Sequence, residues 1–90
     1  MLKYDFNFNQ NDYMNQTPLF YSAKEGNVEI SEILIEKGCD VNHKDTNGQT
    51  CLFYGARFGK LEICKLFANH GCNMLHQDKN RLKASHFAKI

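Results

Sequence analysis

The chain contains no tryptophan, and proline occurs once among its 90 residues. One proline and six glycines exclude a collagen-like repeat or a proline-rich linker. A surplus of one charge sign is missing as well: 11 Lys and Arg stand against 10 Asp and Glu, leaving a formal net charge of +1. A dedicated phosphate-backbone binder usually carries a basic excess large enough to appear in that total, so nucleic acid is not expected as a partner. No apolar run approaches the roughly 18 to 20 residues needed to cross a bilayer, which argues against membrane insertion. Met1-Leu2-Lys3-Tyr4-Asp5 lacks the apolar stretch of a secretory signal.

The usual carriers of chemistry are absent too. There is no tight Cys-x2-Cys pair of the kind zinc sites use, and no glycine motif that would cradle phosphate. Ser22, Ser31 and Ser85 have no nucleophile-elbow context. Glu29, Glu32 and Glu36 have the spacing of a solvated helix face, not of an acid–base pair. These absences predict a protein that is not an enzyme and has no cofactor, metal or catalytic residue.

What the chain does have is 42% hydrophobic residues, enough for the core of one small domain spanning 1–90. Its four cysteines, Cys39, Cys51, Cys64 and Cys72, are expected as reduced thiols, which places the protein in an intracellular reducing compartment, cytoplasm or nucleus. Cys64 falls on an apolar helix stripe and reads as a small hydrophobe. His43 and His76 share one position in two polar loops and read as solvated loop residues.

The dominant signal is an internal repeat. Shifting the chain by 33 residues lays 17–49 over 50–82 with 13 identities. Thr17, Leu19, Phe20, Tyr21 and Ala23 meet Thr50, Leu52, Phe53, Tyr54 and Ala56. Gly26, Gly38, Cys39, His43, Asp45 and Asn47 meet Gly59, Gly71, Cys72, His76, Asp78 and Asn80. Phe6 to Asp12 aligns with Cys39 to Asp45, and Lys83 to Ile90 with Thr50 to Arg57. The chain therefore divides into a partial repeat 1–12, repeats at about 13–45 and 46–78, and a partial repeat 79–90.

Within a unit, Thr17-Pro18 sets a capping hydroxyl before a proline suited to the first helical turn. The helix it opens runs to about Glu25, where Gly26 breaks it. Val28 to Lys37 forms a second helix with Val28, Ile30, Ile33 and Leu34 near helical spacing, ended by Gly38 as a left-handed cap. Leu61, Ile63, Cys64, Leu66 and Phe67 repeat the stripe, and Gly71 ends that helix. Asp40 to Gln49 reads as an extended excursion with an Asn-Gly turn at its tip.

This pattern resembles the ankyrin repeat, on Thr17-Pro18-Leu19, Ala23, Gly26, Gly38, Asp40-Val41-Asn42, Asp45 and Gly48, and again on Thr50, Leu52, Ala56, Gly59, Gly71 and Asp78. The resemblance covers residues 6–90. It implies an all-α fold, an ankyrin-repeat solenoid of helix pairs with projecting β-hairpin loops. It further implies a protein-protein interaction module whose concave hairpin and inner-helix surface binds another protein. The alternative role is a targeting or scaffolding segment of a larger enzyme or channel. Three departures stand out. Phe20 and Phe53 replace a histidine that usually bonds the threonine, so apolar packing should matter more here. Cys51 replaces the proline. Arg81 stands where Gly48 supplies the turn glycine, leaving Asn80 as the candidate for the left-handed conformation.

Carried over residue by residue, the contact positions are Tyr13, Met14 and Gln16 in the first hairpin with Lys24 and Glu25 on its helix. Thr46, Asn47, Gln49, Arg57 and Phe58 follow in the second unit, and Lys79, Asn80 and Leu82 in the third hairpin. Tyr13, Met14 and Phe58 stand out, because solvent alone would not select them and interface cores are rich in such types. Tyr4, Phe6 and Phe8 at one end, and Phe87 and Ile90 at the other, are not the polar outer faces a terminal repeat needs. Further ankyrin repeats, or a subunit, are expected to cover those ends, the chain being a segment of a longer array.

Overall fold

The computed structural model describes residues 11–88; Tyr4, Phe6, Phe8 and Ile90, named above as end-face residues, lie outside the described residues. Four α-helices follow in chain order: α1 (Pro18–Glu25), α2 (Val28–Glu36), α3 (Cys51–Arg57) and α4 (Leu61–Asn69), with a single 3-10 turn at Ala84–Phe87. α1, α3 and the 3-10 turn lie side by side in one layer, and α2 packs on α4 in a second. Each helix pair is antiparallel by necessity, since two or three residues join its members. No helix among the described residues is long and apolar enough to cross a membrane.

The expected glycine punctuation holds. Gly26 ends α1 at φ 74, Gly38 follows α2 at φ 101, and Gly71 follows α4 at φ 88. The left-handed conformation is nearly free for glycine and costs other residues about 1–2 kcal/mol. Asn27 then opens α2 by accepting the Ile30 N–H at 3.0 Å. Its repeat counterpart, Lys60, provides no such cap for α4. Lys60 instead lies across the preceding unit, where a Cβ on Gly26 would come within 2.6 Å of its Cδ.

The threonine caps are a correction. Thr17 and Thr50 occupy the N-cap positions of α1 and α3, but neither side chain makes a capping bond. The N–H that a capping hydroxyl would accept from belongs to Phe20 or Phe53, and each already donates to the threonine's own carbonyl at 3.0 Å. Both hydroxyl oxygens are left buried without a hydrogen-bond partner. The ring that replaces the family's histidine cannot supply one.

The core runs through both units from Leu19, Phe20 and Leu34 to Leu52, Phe53, Ile63, Phe67 and Ala84. Cys39, Cys51 and Cys72 lie within it. Burial pushes all three thiols above their ordinary pKa, furthest for Cys51. Two stripe residues depart from expectation: Ile30 and Ile33 are each 44% exposed, whereas their counterparts Ile63 and Leu66 are 0% and 9% exposed. Identical spacing gives opposite burial because α2 covers that side of α4, and no described helix covers the same side of α2.

Candidate interaction surface

The loops between helix pairs form tight turns without extended strands. Among the described residues no strand forms, and pairing is confined to one antiparallel bridge, Gln77 with Lys83. Each turn is nonetheless built alike. The N–H of Asp12, Asp45 or Asp78 donates to the carbonyl four residues on, at 2.9–3.0 Å. The N–H of Asn15, Gly48 or Arg81 donates back to the aspartate carbonyl at 2.9 Å. Those three residues carry positive φ, 62, 75 and 65. Arg81 itself, not Asn80, therefore takes the left-handed place of the missing glycine.

The aspartate side chain holds each turn from inside. Oδ1 of Asp45 accepts the N–H groups of Asn47 and Gln49 at 2.9 and 3.0 Å, and Asp12 and Asp78 repeat the arrangement. Oδ2 faces the helices. Asp45 accepts Tyr54 Oη at 2.5 Å and Gln16 Nε2 at 2.8 Å, Asp78 accepts Gln49 Nε2 at 2.9 Å, and Asp12 accepts Tyr21 Oη. Burial works against the charge on Asp78, but the bonds from Gln49, Leu82 and Asn80 outweigh it and lower its pKa. Burial, then the Asp45 hydrogen bond and charge, push the Tyr54 phenol up to about 12.

The glutamine oxygens take the cations. Lys24 Nζ donates to Gln16 Oε1 at 2.9 Å, and Arg57 Nη2 to Gln49 Oε1 at 3.1 Å. Lys24 lies 4.8 Å from the Tyr21 ring centre and 5.0 Å from that of Tyr54. Arg57 lies 4.9 Å from Tyr54 and 4.5 Å from Phe87. A ladder of carboxylate, amide, phenol and cation thus climbs from unit to unit. It stops in the third, where Leu82 and Phe87 stand at the glutamine and tyrosine positions.

The tips are tied to one another as well, by Thr46 N–H to the Met14 carbonyl at 3.0 Å and Lys79 N–H to that of Asn47 at 3.1 Å. His43 and His76 strengthen the same seam. Their Nε2 atoms lie 2.9 Å from the Asn15 carbonyl and 2.8 Å from that of Gly48, and their rings meet Phe20 and Phe53 edge-on at 6.1 Å. They are partly buried braces, which corrects the reading of solvated loop residues.

The structure thus gathers the sequence-selected positions into one row of tips beside one row of helix ends. Tyr13 is 92% exposed and Phe58 46%. Glu25, Thr46, Asn47, Lys79 and Asn80 are exposed, while Met14, Lys24, Arg57 and Leu82 are partly exposed. Gln16 and Gln49 differ: at 1% and 6% exposure they support the row from beneath and present nothing to a partner. Tyr21 and Tyr54 were missed. Their recurrence 33 residues apart, each three residues before a cation, was the signal available. Among the described residues no group of three or more His, Cys, Asp or Glu is placed to hold a metal ion.

A family model described as ankyrin repeats (3 copies) matches residues 1–88. No curated protein matches the chain.

Proposed function

The chain belongs to the ankyrin-repeat family, whose repeats are generally protein-protein interaction modules, and on that premise we propose that its row of turn tips and inner-helix ends binds a partner protein. The observation that carries this reading is the exposure of Tyr13, in the turn bonded to Asp12, and of Phe58, at the end of α3 beside the ladder. Aromatic side chains on such a scaffold contribute contact area at little conformational cost. The contact set is Tyr13, Met14, Lys24, Glu25, Thr46, Asn47, Arg57, Phe58, Lys79 and Leu82, with Gln16 and Gln49 supporting it. No catalytic role is proposed.

The test is affinity capture from a lysate of the source cells with the wild type and a Tyr13→Ala/Phe58→Ala variant. Both residues are exposed, so the melting curve should stay within the small effect of surface substitutions, about ±0.5 kcal/mol. Capture of the partner should fall by about tenfold or more. Equal capture by a folded variant would overturn the reading. Arg57 is left intact, because its stacking on Tyr54 and Phe87 would confound binding with stability.

A second surface supports the scaffolding alternative. A groove of about 320 Å³ between α3, α4 and the 3-10 turn is lined by Leu52, Ala56, Leu61, Cys64, Met74 and Ala84 among others. Within it Leu61 is 61% exposed and Cys64 partly exposed, whereas their first-unit counterparts Val28 and Ser31 are partly and fully buried. A further repeat, or a subunit presenting a helix pair of the α3–α4 type, fits that groove.

A further inference from the structure

The inner face separates its charges in an unusual way. Asp45 carries four hydrogen bonds, two on each carboxylate oxygen, and is 4% exposed; Asp78 is 6% exposed with three. These carboxylates are saturated inside the turns and cannot swing outward. The inner-face cations, by contrast, are not paired with carboxylates. Among the described residues Lys24 and Arg57 face no carboxylate within ion-pair distance; the ion pair that does form, Lys65 with Glu62, lies on the outer helix α4. The tip cations Lys79 and Arg81 are exposed, and so is Lys83 beside them. The glutamates Glu29, Glu32, Glu36 and Glu62 all stand on the outer helices, and Asp40, in the loop after α2, accepts the Asn42 N–H, which leaves Glu25, among the described residues, as the inner-face carboxylate not locked into a turn.

Lys24 and Arg57 are also held in place before any ligand arrives, each between two rings and against a glutamine oxygen. Ordering a long side chain on binding ordinarily costs about 0.5–1.5 kcal/mol, and here much of that ordering is already done. The two cations sit at equivalent positions of neighbouring packed helices, α1 and α3, whose axes lie about 8–10 Å apart. A peptide extended as a polyproline-II helix advances about 3.1 Å per residue with three residues per turn, so side chains three residues apart share one face and span about that separation. We propose that this face takes an extended acidic peptide segment of the partner, with carboxylates about three residues apart reaching Lys24 and Arg57 and further acidic residues running toward Lys79 and Arg81. This rests on the interaction reading above and gives it a ligand chemistry.

The test selects a displayed library of random peptides of about twelve residues on the intact 90-residue chain, at ~50 mM and ~200 mM salt. Peptides retained by the wild type should be enriched in Asp and Glu at a spacing of three. Their binding should weaken by about fivefold or more at the higher salt and in a Lys24→Gln/Arg57→Gln variant. A Lys24→Arg/Arg57→Lys variant keeps both charges and should keep the enrichment, which separates charge recognition from damage to the ladder. Backbone amide shift mapping of one retained peptide should move Lys24, Arg57 and the tips. Retained peptides without acidic enrichment that still map to Tyr13 and Phe58 would overturn the acidic ligand and leave the interaction face standing. No retained peptide, or peptides mapping to α2 and α4, would overturn both. Tighter binding of a ~15-nucleotide single strand than of any acidic peptide would also overturn the proposal, in favour of nucleic acid.

Discussion

At the scale of single residues, Tyr54 does the most to couple one unit to the next. Its hydroxyl donates to Asp45 in the turn that leads into its own helix, accepts from Gln16 one turn earlier, and its ring lies against both Lys24 and Arg57. Tyr54→Phe keeps the rings and removes the hydroxyl, leaving Gln16 as the remaining donor to Asp45 Oδ2. Loss of one such bond at a buried carboxylate should destabilise the protein by about 1–3 kcal/mol near neutral pH. The phenol also sets a pH dependence. Its folded pKa, about 12, lies above the ordinary tyrosine value near 10, so its contribution is complete below pH ~10 and is lost as pH rises through about 12. Urea midpoints measured from neutral to alkaline pH should therefore fall more steeply for the wild type than for Tyr54→Phe across that window. Parallel curves would show that the phenol is not held protonated by the fold.

At the scale of elements, the five-residue turns Asp12–Gln16, Asp45–Gln49 and Asp78–Leu82 show how a repeat tolerates substitution at a demanding position. The fourth residue needs positive φ, and Asn15, Gly48 and Arg81 all adopt it. The turn is imposed by the aspartate and its backbone bonds, so asparagine and even arginine are forced into the left-handed region there. Glycine serves a second purpose in the middle turn, because a Cβ on Gly48 would approach the backbone nitrogen of Lys79 to 3.1 Å. Gly38, also left-handed, has nothing within 4 Å of such a Cβ. Gly38→Ala should thus cost about 1–2 kcal/mol from conformation alone. Gly48→Ala should cost more, because the Lys79 N–H bond to Asn47 must shift to make room. Equal losses in chemical denaturation would mean that the seam between tips yields freely.

At the scale of the whole molecule, stability comes from neighbours. The 3-10 turn Ala84–Phe87 packs along α3, sets Phe87 at 6.0 Å from Phe53, and completes the sandwich around Arg57. Repeat stacks gain most of their stability at such interfaces. Deleting residues 79–90 should uncover Phe53 and Leu52, now 1% and 2% exposed, and lower the melting temperature by about 10 °C or more. A melt unchanged by that deletion would show that the first two units are self-sufficient. The exposed Ile30 and Ile33 on α2, and the groove over Leu61 and Cys64, are the same interface left open at either end of the described stack.

Much of this was legible in the residues themselves. Helix-spaced apolar positions and glycines at the breaks marked the helices and where they stop, because those features depend on neighbours a few residues away. The proposed contact positions were drawn from the repeat register. The tertiary structure decided which residues of that row face outward. Gln16 and Gln49 are polar, and nothing local marks them as buried; they are buried because an aspartate 29 residues later needs their amide. The two histidines became braces because a carbonyl 28 residues earlier lies opposite each ring. Ile30 and Ile63 share one register yet differ in burial, because periodicity defines a helix face and only the packing of the next element decides whether that face is covered.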